Sequence, residues 1–179
     1  MARFPFDIVG FDLDGTLLDT EADLGAAVNH ALAIAGRPQV PAGQVRRLIG
    51  GGGKKMLLRA LEETGGIPQD DFDHLHHELL RFYGANIAVG TRPFPGAEAM
   101  LDGLAARGVR LAEVTNKLEA LAVRVLEELG LAGRFYTIIG GDTLGPGRAK
   151  PARDQLDEMI ARAGGGSAAY VGDTTYDTR

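Results

Sequence analysis

Asp12 and Asp14 stand one residue apart in the segment FDLDGTLLD, where a short apolar run meets a glycine. Two carboxylates at the end of a buried strand repel each other and lose hydration, so the pair is costly unless a positive charge lies between them. The pair therefore indicates a cation site, although DxDG taken alone is equally typical of aspartates that cap a turn.

Further polar residues follow the later apolar runs of the chain. They supply a hydroxyl, an amide, ammonium groups and carboxylates: Thr115, Asn116, Lys117, Lys150, Asp173 and Asp177. Carboxylate oxygens suit a hard divalent cation, whereas hydrogen-bond donors and a lysine suit phosphoryl oxygens. Because ligands of open α/β sheets collect beyond the carboxyl ends of the strands, we expect one site that combines a divalent cation with a phosphate group.

Four short apolar runs predict the buried parallel strands that would position these residues, at 7–11, 109–114, 135–140 and 168–172. Between the last three runs, apolar residues recur every three or four positions, as in amphipathic helices. Strands and helices in alternation predict βαβ units. We therefore predict an α/β fold class with a Rossmann-like parallel sheet core.

Residues 20–90 interrupt this alternation with four helical patterns, the second of which is formed by Val45, Leu48 and Ile49. The segment PFPG then marks the return to the α/β part, and a helix is predicted over 97–106. The prediction is a discontinuous α/β core, residues 1–19 and 91–179, that carries an inserted all-helical cap domain.

Four segments in this order, FDLDGTL, VTNK, AKP and VGDTTYD, resemble the four motifs of haloacid dehalogenase-like phosphohydrolases. The insertion after the first motif resembles the helical cap of that superfamily. The segments DTEADLGAAVNHAL, RRLIGGGGKKMLLRAL and FPGAEAMLDGL are similar to phosphoglycolate phosphatases. The resemblance covers nearly the whole chain.

The resemblance implies three catalytic residues. Asp12 would be the nucleophile that forms an aspartyl-phosphate. Asp14 would protonate the leaving oxygen and then act as the base for the hydrolytic water. Lys150 would stabilise the charge of the transferring phosphoryl group.

The resemblance also implies a Mg²⁺ cofactor with ligands from separate segments. The side chains of Asp12 and Asp173 and the backbone carbonyl of Asp14 would hold the ion, and Asp177 would hold its waters or the lysine. The residues expected to bind the phosphate group or the rest of the substrate are Thr115, Asn116, Gly15 and Lys54.

The predicted function is therefore Mg²⁺-dependent hydrolysis of a small phosphate monoester, with 2-phosphoglycolate as the best single substrate. The presence of Asp14 argues against dehalogenases and phosphonatases, which lack this second aspartate. Alternatives are a phosphatase for sugar phosphates or pyrophosphate, a phosphomutase of the β-phosphoglucomutase type, or a non-catalytic form that keeps the metal pocket.

Composition limits the partners. The 179 residues carry a net charge of -5 and no cysteine, which argues against a nucleic-acid surface, disulfides and thiolate chemistry. The N-terminal segment MARFPFDIVG does not resemble a secretory signal, and no apolar stretch is long enough to span a membrane. We expect a cytoplasmic monomer or homodimer that acts on a small phosphorylated metabolite, with no nucleic-acid or membrane partner.

Features of the helical block have two interpretations each. The glycines at 50–53, followed by Lys54, predict either a loop that binds a substrate carboxylate or a flexible turn. His74 and His77 share a helix face, which makes a metal site conceivable, but a solvated surface is favoured because no carboxylate or cysteine completes a ligand spacing. Asp19 and Asp23 are favoured as caps of the first helix of this block.

Two features depart from the family pattern. Glu113 lies inside the second predicted strand, on the same face as Thr115, where an apolar residue is usual. A buried carboxylate there must find a partner or point into the site, because burial without one is costly. The sequence ends at Arg179, two residues past Asp177. Since members of the family continue through further elements, a C-terminally shortened form is expected.

Overall fold

The computed structural model describes residues 4–68 and 70–177, and Arg179, the end of the expected shortened form, lies outside them. The chain divides into two compact units, one formed by 1–19 with 92–179 and the other by 20–91. We refer to them as the α/β unit and the helical unit.

Four parallel strands form the sheet at the centre of the α/β unit: β1 (Ile8–Phe11), β4 (Arg110–Val114), β5 (Thr137–Ile139) and β6 (Ala168–Val171). Their order in the sheet is β5-β4-β1-β6. A separate antiparallel pair joins β2 (Leu18–Asp19) to β3 (Arg92–Pro93). The predicted fold class is confirmed, because buried parallel strands are continuous apolar runs that the sequence displays directly.

Three helices accompany the sheet: α5 (Ala97–Ala105), α6 (Glu119–Glu128) and α7 (Asp154–Arg162). A core cluster of Ile8, Ala112, Val114, Ile139 and Met159 packs α7 against three of the strands. This packing fixes the carboxyl ends of β1, β4 and β5 relative to one another.

The helical unit contains α1 (Glu21–Ile34), α2 (Ala42–Val45), α3 (Gly52–Thr64) and α4 (Phe72–Ala85). The second helical pattern, formed by Val45, Leu48 and Ile49, falls on α2 and on the 3₁₀ turn Arg46–Leu48 that follows it, and only Ile49 is extended. Gly50 and Gly51 then adopt positive φ, which ends any helical continuation. No helix in the described part of the chain is both long enough and apolar enough to cross a membrane.

Candidate active site

The segments that follow three neighbouring strands supply the side chains of the candidate site. Asp12 follows β1, Thr115 follows β4, and Asp173 comes two residues after β6. Since β4 and β6 pair in parallel with β1 on its two sides, these segments meet at one edge of the sheet. The topology thus brings together residues that are far apart in the sequence.

Lys150 is the buried cation of the site, with 4% of the residue exposed. Its Nζ lies 3.1 Å from Asp12 Oδ1 and 2.6 Å from Asp177 Oδ1. It also donates to the Tyr170 hydroxyl at 2.5 Å. The lysine therefore joins the predicted nucleophile to Asp177, in the segment that follows β6.

Asp12 is 7% exposed and accepts a hydrogen bond from the backbone N–H of Leu13 at 2.8 Å. Burial raises the pKa of its carboxyl group to about 6, against the opposing attraction of Lys150. The carboxylates of Asp177 and Asp14 add to the increase in pKa. A cation near Asp12 would therefore favour the charged form that a nucleophile needs.

Asp14 forms an ion pair with a second buried lysine, Lys117. Lys117 Nζ lies 3.0 Å from Asp14 Oδ2, and Lys117 is 6% exposed. The backbone N–H of Lys117 donates to Thr115 Oγ1 at 3.2 Å, so the short turn after β4 fixes the start of this side chain. The motif pattern assigned no role to Lys117, although it directly follows Asn116 in the segment VTNK.

Thr115 and Asn116 are held in place by contacts with the loop that carries Lys150. Asn116 Nδ2 donates to the backbone oxygen of Lys150 at 3.0 Å. The buried amide of Gln155 donates to Thr115 O at 3.1 Å and to Gly140 O at 2.7 Å, and accepts from the Lys150 N–H at 3.0 Å. Gln155 therefore holds the backbone segments of the site in place. Helical periodicity did not indicate this role, because Gln155 occupies a buried position of α7, where an apolar residue is expected.

Asp12, Asp173 and Asp177 each offer a carboxylate oxygen within 4.8 Å of the others. Thr16 Oγ1 donates to Asp173 Oδ1 at 3.1 Å. Gly15 has φ +87°, and a Cβ there would lie 2.4 Å from Asp173 Oδ2, so only glycine allows this carboxylate to approach. Three hard oxygen donors at this spacing fit a divalent cation such as Mg²⁺.

Glu113 is fully buried, at 0% exposure, and pairs in register with Phe11, the residue before Asp12. Neither of its carboxylate oxygens has a hydrogen-bond partner among the described residues. Burial raises the pKa of Glu113 well above its usual value, and the charge of Asp12 adds to this. Among the described residues, Glu113 therefore lacks the hydrogen-bond partner that a buried carboxyl group was expected to have.

In the helical unit, Lys54 lies in the first turn of α3, with its Nζ 5.7 Å from the centre of the Phe72 ring. Its role in substrate binding stays a prediction. Within the described ranges, no group of three acidic or histidine ligands includes His74 or His77.

The interpretation of Asp23 as a cap of the first helix is wrong, because its carboxylate bonds to Gly90 and Thr91 at the other end of the helical unit. Its carboxylate accepts hydrogen bonds from the N–H groups of Gly90 and Thr91 and from the Thr91 hydroxyl, at 2.7 to 3.0 Å. Since Asp23 lies near the start of the helical unit and Thr91 is its last residue, the carboxylate ties the two ends of the unit together.

Comparison with known proteins agrees with this geometry. The sequence model of the haloacid dehalogenase-like hydrolases matches residues 9–179. A phosphoglycolate phosphatase from Agrobacterium fabrum is 41% identical over 171 residues, which are 93% of this chain and 72% of that protein. One from Aquifex aeolicus is 34% identical, with 95% of this chain and 77% of that protein covered.

Among solved structures, a predicted phosphoglycolate phosphatase from Haemophilus somnus superposes with a TM-score of 0.90 at 28% identity. The match covers 98% of this chain and 80% of that one. The resemblance carried by the four sequence motifs is confirmed.

Proposed function

Because the chain belongs to the haloacid dehalogenase-like hydrolase family, we propose that it is a Mg²⁺-dependent phosphatase that hydrolyses a small phosphate monoester. The observation that carries this proposal is the placement of Asp12 and Asp14 after a central strand, each paired with a buried lysine at 3.1 and 3.0 Å. Such an arrangement fixes two carboxyl groups where a phosphoryl group must approach.

In the proposed reaction, a carboxylate oxygen of Asp12 attacks phosphorus while the bond from phosphorus to the ester oxygen breaks. Asp14 gives its proton to the departing alkoxide, so the alcohol leaves neutral. In the second half, Asp14 takes a proton from a water molecule, which attacks the aspartyl-phosphate and releases inorganic phosphate. Lys150 holds the attacking carboxylate in one orientation throughout.

The oxygen ligands proposed for Mg²⁺ are the side chains of Asp12 and Asp173 and the backbone carbonyl of Asp14, with Asp177 beside them. A bound Mg²⁺ would offset the repulsion between an anionic nucleophile and an anionic substrate. Asp177 already accepts from Lys150 at 2.6 Å and from the Thr174 N–H at 2.9 Å, so it serves to orient the lysine as well. Thr115, Asn116 and Gly15 are the proposed contacts of the phosphate group.

The best candidate substrate is 2-phosphoglycolate, because relatives at 41% and 34% identity bear the name phosphoglycolate phosphatase. Lys54 stays a proposed contact of the acid group of the substrate. It lies in the first turn of α3, which has no acidic residue there to compete for its charge.

The test is the release of inorganic phosphate from 2-phosphoglycolate and a panel of sugar phosphates and pyrophosphate, with Mg²⁺ and with EDTA. Asp12→Asn should abolish turnover, while Asp157→Asn, which changes an exposed aspartate of α7, should retain it. Turnover that survives Asp12→Asn or EDTA would contradict the mechanism. The order of the esters by kcat/KM identifies the substrate, and 2-phosphoglycolate should rank first.

A further inference from the structure

The hydroxyl group of Tyr170 contacts three parts of the candidate site. Its oxygen lies 2.7 Å from the carbonyl oxygen of Val114, 2.5 Å from Lys150 Nζ and 3.3 Å from Asp177 Oδ1. Tyr170 belongs to β6 and Val114 to β4, the two strands on either side of β1. One side chain therefore links both neighbours of the strand that leads to Asp12.

The chemistry of the groups fixes the direction of these hydrogen bonds. An ammonium group only donates, so the Tyr170 oxygen must accept from Lys150. The single phenolic proton then goes to the Val114 carbonyl at 2.7 Å rather than to Asp177 at 3.3 Å, because the shorter contact is the stronger one. Tyr170 thus presents an acceptor lone pair to the lysine.

The three N–H groups of Lys150 have three acceptors within hydrogen-bond distance: Asp12, Asp177 and Tyr170. Two of these acceptors are carboxylates that carry charge. The third is neutral and is anchored to the backbone of β4 through Val114. Since the residue is only 4% exposed, this anchored acceptor fixes the rotation of the ammonium group.

Gly10 supplies an independent observation. It pairs in register with Tyr170 on one side and Ala112 on the other, in the middle of β1. A Cβ at Gly10 would lie 3.0 Å from Tyr170 Cδ2 and 2.5 Å from Met159 Sδ. A glycine in the interior of a strand marks such a close approach. The absence of a side chain at Gly10 leaves room for the ring of Tyr170 beside β1, so that its hydroxyl reaches Val114 of β4.

We propose that Tyr170 is a positioning residue that holds the Lys150 ammonium between Asp12 and Asp177. The inference rests on the proposed function, in which Lys150 orients the attacking carboxylate. Without the hydroxyl, one N–H of Lys150 loses its acceptor, and the ammonium is held only by the carboxylates of Asp12 and Asp177. The carboxylate of Asp12 then loses part of the constraint that aligns it with phosphorus.

Tyr170→Phe removes only the hydroxyl, and Tyr136→Phe is its matched control. The Tyr136 hydroxyl also donates to a backbone carbonyl, that of Met159, at 2.5 Å, but it makes no contact with Lys150. Tyr170→Phe should lower kcat about tenfold and leave KM unchanged, because misplaced reacting groups slow the chemical step. Tyr136→Phe should keep the wild-type kcat. A kcat for Tyr170→Phe within about twofold of wild type overturns the proposal.

A second readout does not depend on turnover. Acetylation of Lys150 by acetic anhydride, followed by peptide mass spectrometry on the metal-free protein, should be faster in Tyr170→Phe than in wild type and Tyr136→Phe. Equal rates in the three proteins overturn the proposal whatever the activity. If the wild-type protein hydrolyses none of the esters, the proposed function fails, and the labelling rates alone decide whether Tyr170 positions the lysine.

Discussion

Replacing Glu113 by glutamine should stabilise the protein at neutral pH, and the gain should grow as the pH rises. Glu113 is 0% exposed, and neither of its oxygens has a hydrogen-bond partner in the described ranges. Burial, reinforced by Asp12, raises the pKa of Glu113 well above its usual value. The folded state therefore binds this proton more tightly than the unfolded chain does.

The sign of the pH dependence follows from this difference in proton affinity. The stability that Glu113 contributes is fully present below the pKa of an unfolded glutamate. It is lost as the pH rises from there through the raised pKa of the folded state. Within that window the loss amounts to at most about 1.4 kcal/mol for each pH unit. Glutamine does not titrate, so the Glu113→Gln variant should lack this slope.

A second variant separates the charge from the unsatisfied polar atoms. Glu113→Leu fills a similar volume and also removes both oxygens. An unpaired buried polar group costs about 1–3 kcal/mol, so the leucine variant should be more stable than the glutamine variant by about that amount.

The assay is urea unfolding followed by far-UV circular dichroism at several pH values from about 5 to about 8, the range in which the slope should appear. Glu128→Gln, an exposed glutamate of α6, controls for the loss of one negative charge and should run parallel to wild type. The reasoning is refuted if the curves for wild type and Glu113→Gln are also parallel. A glutamine variant that is less stable at the highest pH would show that the carboxylate has a favourable partner.

Three further changes test other contacts. Lys117→Met removes the ion pair with Asp14 at 3.0 Å. It should lower kcat about tenfold or more in steady-state assays, because the carboxyl group of Asp14, which transfers the proton, is no longer held in place. An unchanged kcat would contradict this role. Asp23→Asn weakens the charge-assisted hydrogen bonds to Thr91 and its neighbour and should cost about 2–4 kcal/mol. Hydrogen exchange around Thr91 should accelerate, and unchanged protection would refute the contact. Gly10→Ala should cost about 1–3 kcal/mol of overpacking and lower kcat, and a wild-type melting temperature would count against the close approach.

The fold was predictable because its determinants are local. The run at 7–11 contains β1, whose four residues are all buried, since a strand buried on both faces needs apolar residues at every position. The run at 168–172 contains β6, which ends the sheet order and is only partly buried. The end of the second helical pattern, in contrast, was not predictable from the spacing of apolar residues. Val45, Leu48 and Ile49 have helical spacing, but the positive φ of Gly50 and Gly51 ends the segment in a way that apolar periodicity does not register.

The candidate site was predictable only where its residues carry a motif. Asp12, Asp173 and Asp177 lie in the first and last of the four motifs, and each offers a carboxylate oxygen within 4.8 Å of the others, while their roles stay predictions. The partner of Asp14 was not predictable, because a lysine after a strand is usually a solvated charge and only the strand order brings Lys117 to it. The role proposed for Tyr170 was hidden for the same reason, since a tyrosine inside a strand is normally a core residue.

The charges at the strand ends explain how the two aspartates of FDLDGTLLD tolerate each other. Asp12 and Asp14 each pair with a different lysine, at 3.1 and 3.0 Å. The charged side chains of the site are Asp12, Asp14, Asp173, Asp177, Lys117 and Lys150. Counted at their formal charges, four carboxylates and two ammonium groups leave an excess of two negative charges. One divalent cation would neutralise that excess and allow a phosphate group to approach, which is the physical reason to expect substrate binding itself, and not only turnover, to require Mg²⁺.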